Sequence, residues 1–148
     1  MKKFIPILVF FLLFTLVEES TADQFPRYGL LVQQDSTVRS VFKRIERGII
    51  EIDVKIFSDF LSTETYLSLK NGISGYYSAN QSYYILQDYL TLNIPTEFKF
   101  TGMFTDSTTP YASGNLRYSH KGVRGDAQLF ISLKVVNGSW QISQITIN

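Results

Sequence analysis

The chain contains no cysteine, which excludes disulfides and excludes a lipid-modified cysteine behind an export signal. Histidine occurs once, at His120, and the carboxylates are scattered, so no ligand spacing for a metal is present and neither metal nor cofactor is expected. Charge of one sign is also lacking: 14 Lys and Arg stand against 13 Asp and Glu. General nucleic-acid binding needs a phosphate-neutralising excess of cations, so no nucleic-acid partner is expected. Internal repeats, linkers and low-complexity tracts are absent, and no catalytic constellation is visible.

Only one long hydrophobic run exists, Phe4 to Val17, interrupted by Pro6 and Thr15. It follows the basic start Met1-Lys2-Lys3 and precedes the small residues Ser20-Thr21-Ala22. As a helix it would cover about 21 Å, short of the ~30 Å hydrocarbon core. Residues 1–22 therefore read as a secretory signal peptide cleaved after Ala22, leaving no stable membrane span. The expected location is secreted or periplasmic; export without disulfides fits a bacterial periplasm or cell surface.

Residues 23–35 show no clear period and read as a lead-in to one domain over residues 36–148. Asp35-Ser36 offers a helix N-cap, and Val38, Val41, Phe42, Ile45, Ile49 and Ile52 follow at helical spacing. Gly48 predicts an end or bend, with a short second helix over residues 54–61. Asn71-Gly72 predicts a hairpin turn. Ser78 and Gln81 form a capping box for a third helix, with Ile85, Leu86, Tyr89 and Leu90 buried and Asp88 in solvent. Pro95 closes that segment.

Everything after Pro95 reads as strand. Phe98, Phe100 and Phe104 are expected on one face; Ala112, Gly114, Leu116 and Tyr118 share a face of the next strand, opposite Tyr111, Ser113, Asn115 and Arg117. His120-Lys121-Gly122 is the turn, and Asn137-Gly138 suits the positive φ angles of a type I′ hairpin. Ile145 and Ile147 fall out of phase with Trp140 and Ile142, which a bulge near Ser143-Gln144 would repair. Helices followed by consecutive strands predict an α+β fold, three helices on the concave face of a curved antiparallel sheet.

That order resembles the cone-shaped nuclear transport factor 2-like superfamily, whose Gly-x-Trp-x-Ile ending reads here Gly138-Ser139-Trp140-Gln141-Ile142. Tyr77-Ser78, Ile85-Leu86-Gln87-Asp88-Tyr89, and Phe98 with Phe100 after a proline are similar to a secreted bacterial family defined as domain of unknown function 4783. The likeness runs from about Val38 to Asn148. It implies a pocket between helices and sheet, dimerisation through the outer sheet face, and no catalytic residues carried over.

The candidate pocket lining is Tyr89, Phe100 and Tyr118, since tyrosine brings apolar area and a hydroxyl that wants a partner. The candidate interface is Tyr111, Arg117 and Phe130. The expected function is an exported, non-enzymatic binding or interaction module, holding a small apolar ligand and forming a homodimer. One alternative is a pocket enzyme of the ketosteroid isomerase or polyketide cyclase-like kind, its acid drawn from Glu64 or Asp53. Another is an envelope or surface adhesion protein using Arg117, His120, Lys121 and Arg124. The tripeptide Arg124-Gly125-Asp126 and His120 at a hairpin tip read as ordinary turn residues.

Overall fold

The computed structural model describes residues 25–148, with side chains from Thr37 onward. The leader and its cleavage point lie outside the described residues. Among the described residues, no helix is long and apolar enough to cross a membrane.

Helix α1 spans Phe25–Ile50, so most of the expected lead-in is helical and Asp35-Ser36 sits within the helix instead of capping it. Pro26 is compatible with this because it falls in the first turn, where its missing N–H has no helical partner to lose. Val38, Val41, Phe42, Ile45 and Ile49 form the buried stripe. The stripe stops there: Ile52 lies beyond the helix end at a φ of 56°. That conformation is costly for a β-branched residue. Gln87 holds the segment by donating to the Ile52 carbonyl at 2.8 Å and accepting from the Val54 amide at 3.1 Å. Gly48 lies two residues before the end of α1, and its carbonyl accepts from the Asp53 amide at 2.9 Å. It gives the chain room, since a Cβ there would lie 2.5 Å from the Phe57 ring.

A 3-10 helix, Val54–Phe60, leads into strand β1, Leu61–Leu69, which pairs with β2, Ser74–Tyr77. Helix α2, Ala79–Leu92, opens with both halves of the capping box: the Gln81 amide donates to Ser78 Oγ, and the Ser78 amide to Gln81 Oε1. Strand β3 then runs Asn93–Phe104, taking in Pro95, which is tolerable on an edge strand. Strands β4 (Tyr111–His120), β5 (Val123–Val136) and β6 (Ser139–Ile147) complete a six-stranded sheet in the order β2-β1-β6-β5-β4-β3. All neighbours are antiparallel except β1 and β6, which run parallel and make the sheet mixed.

Asn137 and Gly138 take φ angles of 50° and 77°, the left-handed pair of a type I′ turn. Ser132 faces Gln144 while Leu133 faces Ile142, so the extra residue Ser143 is the bulge that returns Ile145 and Ile147 to the core. A second irregularity, between Phe100 and Gly102 of β3, was not expected from the sequence. It turns Phe104 to the outer face while Phe98 and Phe100 stay buried. The core lies between the inner sheet face and the helices, with α1 along β3 and α2 along β1.

Candidate functional site

The open end of the cone is built where α2 stops and the β4–β5 turn begins. Tyr89, near the end of α2, points its ring to the core and is 3 % exposed. Asn93 fastens this corner: its side-chain amide donates to the Tyr89 carbonyl at 3.0 Å, and its Oδ1 lies 3.1 Å from His120 Nδ1 at the end of β4. Lys70, after β1, donates to the Asp126 carbonyl at 3.1 Å and draws the β1–β2 turn towards β5.

These elements enclose a cleft of about 580 Å³. Tyr89, Leu92, Tyr118 and Val123 provide its apolar surface; Lys70, His120, Lys121 and Arg124 stand around them. Tyr118 sits over Gly125, where a Cβ would come within 2.7 Å of its ring. The Tyr89 hydroxyl has no hydrogen-bond partner among the described residues. Burial, and next the adjacent Tyr118, push its pKa up to about 12, so at neutral pH the hydroxyl remains a proton donor. A neighbouring hollow of about 520 Å³ shares Tyr118, Arg124 and Gly125 and is otherwise polar, with Glu97, Arg117 and Asp126.

Of the three residues expected to line a pocket, the fold brings together Tyr89 and Tyr118. Phe100 packs edge-on against Phe42 and Phe98, with ring centroids 5.6 and 4.9 Å away, and lines neither hollow. Its face on β3 was readable, but its distance along the strand from Tyr89 was not. Lys70 in the β1–β2 turn, Leu92 at the end of α2 and Val123 at the start of β5 arrive from separate elements and carry no sequence signal. His120, read as a turn residue, is the half-buried last residue of β4 and lines the cleft. Arg124-Gly125-Asp126 forms no loop: it lies within β5, paired with Ser119, Tyr118 and Arg117.

The two acids held open for catalysis lie elsewhere. Asp53 accepts from the Lys55 amide at 3.0 Å and caps the 3-10 helix. Glu64 borders a groove of about 390 Å³ with Tyr66 and Tyr76, away from the cleft. Among the described residues no group of three His, Cys, Asp or Glu could hold a metal ion.

On the outer sheet face, Tyr111 and Phe130 do meet, at 5.5 Å between centroids. Phe104, expected on the same face as Phe98 and Phe100, stacks on Tyr111 at 4.6 Å and is 54 % exposed. Arg117 stands apart from them, paired with Glu97 at 2.7 Å. Register places Phe104, Tyr111, Ser132, Gln144, Tyr66 and Tyr76 in one row across all six strands.

No curated protein matches the chain in sequence. Among solved structures, a DUF4783 family protein from Bacteroides uniformis superposes with a TM-score of 0.64 at 13 % identity, covering 72 % of this chain and 94 % of that one. A second DUF4783 protein, from Bacteroides ovatus, gives 0.62 at 17 % identity over 70 % and 90 %. A designed protein of the Rd1NTF2_05 series gives 0.62 at 15 % identity over 77 % and 98 %. At such identities the likeness shows the fold, which is nuclear transport factor 2-like. Residues 42–148 match the family described as "Domain of unknown function (DUF4783)", and with the cone, its helices and its closing strands in place, the chain belongs to that family.

Proposed function

We propose that this protein is an exported, non-enzymatic binding module that holds a small ligand in the cleft between Tyr89 and Tyr118. The observation that carries this reading is the cleft itself: about 580 Å³, walled by Tyr89, Leu92, Tyr118 and Val123, with the Tyr89 hydroxyl unpaired among the described residues. That hydroxyl reaches solvent, so a bound polar atom would take the place of water as its partner. Binding without turnover is favoured because no Asp or Glu lines the cleft, while His120 is engaged through Nδ1 with Asn93.

The test is native mass spectrometry of protein purified from its own host's exported fraction without added ligand. The expected result is a species carrying a small-molecule mass increment and beginning at Asp23. The increment should be lost in a Leu92→Lys variant, which places a charge on the cleft wall. A ligand-free protein that also takes up no small amphiphile would remove the binding reading, and a retained leader would remove export.

A second surface supports self-association. The exposed Phe104, Tyr111 and Phe130 cluster is of the aromatic type enriched in interfaces, and it lies on the face opposite the cleft, so a homodimer would leave the cleft free.

A further inference from the structure

We propose that the ligand is an amphiphile with one anionic head group, its apolar body against Tyr89, Leu92, Tyr118 and Val123 and its anion between Lys121 and Arg124 at the rim. This rests on reading the cleft as a ligand site and names the chemical class that fits it. The argument is one of charge accounting. Elsewhere on the described surface three arginines sit beside carboxylates: Arg44 with Asp59, Arg47 with Glu51 and Arg117 with Glu97. Lysines such as Lys43 and Lys99 stand without an ion pair among the described residues, so what sets the cleft apart is four basic side chains around one apolar wall. At the cleft, Lys121 and Arg124 have no ion pair among the described residues, Lys70 is turned to a backbone carbonyl, and no carboxylate lines the wall. Asp126, the nearest acid in sequence, lines the adjoining hollow, on whose border with the cleft Arg124 stands.

The positions of the cations are set by the backbone. Lys121 holds a φ of 49° in the two-residue β4–β5 turn, and Arg124 lies just beyond it, at the start of β5. Both border the cleft at one hairpin end, with the exposed Val123 between them in sequence. Cations above an apolar, tyrosine-lined floor match a ligand with charge at one end and hydrocarbon or aromatic rings at the other. Such a ligand gains from both area removed from water and charge pairing, whereas a small inorganic anion would gain only from the second.

Two probes separate these contributions. 1-Anilinonaphthalene-8-sulfonate and N-phenyl-1-naphthylamine share an arylamine body and differ by the sulfonate. Fluorescence titration of the purified protein should give about tenfold tighter binding of the sulfonate, a preference that weakens as salt is raised. In a Lys121→Ala, Arg124→Ala double variant the preference should vanish while the neutral probe binds as before. Both side chains are exposed, so the variant is expected to fold, which an unchanged unfolding midpoint would verify. Equal affinity for the two probes in the parent protein would overturn the anionic class and leave the cleft reading standing. Binding of neither probe would overturn both. A preference that survives the double variant would overturn the assignment of the head group to these two residues.

Discussion

Gly125 of β5 lies directly beneath Tyr118 of β4, and the Cβ of any other residue there would fall 2.7 Å from the tyrosine ring. The ring can swing aside because it is the far end of a side chain. Gly125→Ala should therefore cost about 1 kcal/mol, at the low end for overpacking, yet move the cleft wall. Urea unfolding should show the small loss, while probe affinity for the cleft falls several-fold. Unchanged affinity would mean that Tyr118 is not part of the binding surface.

Tyr89 carries a pH dependence whose sign follows from its burial. The folded protein holds this proton more tightly than the unfolded chain, with a pKa raised from 10.0 to about 12. Its contribution to stability is therefore intact below pH 10 and is lost as pH rises from 10 through about 12. Other tyrosines and lysines titrate in that range, so the informative quantity is the difference between parent and Tyr89→Phe. The parent should lose more stability than the variant across the window. Parallel curves would contradict the raised value.

Glu46 of α1 accepts a hydrogen bond from the Phe100 amide of β3 at 2.9 Å. As β3 is an edge strand, its amides are not all taken by β4, and α1 supplies this acceptor. Glu46→Ala leaves the amide unpaired beneath the helix and should cost about 1–3 kcal/mol, while Glu46→Gln, which retains a carbonyl oxygen, should recover most of it. Chemical denaturation of the two variants decides the matter; equal losses would assign the effect to packing.

Phe104 stacks on Tyr111 in the open, so Phe104→Ser removes little from the core. Sedimentation velocity should show a dimer in the parent and a weaker one in the variant, with the unfolding midpoint nearly unchanged. A monomeric parent, or a dimer indifferent to the substitution, would leave the outer face without its proposed use.

Features with a local cause were legible in the residues. The Asn137-Gly138 turn follows from two positive φ angles, the Ser78–Gln81 capping box from a three-residue spacing, and the Ser143 bulge from a break in period two. The same reasoning failed at Phe104, because the irregularity after Phe100 interrupts a phenylalanine pattern that looks unbroken. At Gly48 it found the helix end to within two residues but not the close contact, since a Cβ there would meet Phe57.

By itself, then, the sequence determined which residues alternate, turn and cap, and so the α+β class, because those properties depend on neighbours a few positions away. Only the tertiary structure decided which side chains share a space. It put Tyr89 beside Tyr118, left Phe100 in the core, brought Lys70 and His120 to the cleft, and stacked Phe104 on Tyr111. Those outcomes depend on strand register and on where α2 ends against the sheet, which are set by packing across the whole domain and leave no mark at any one position.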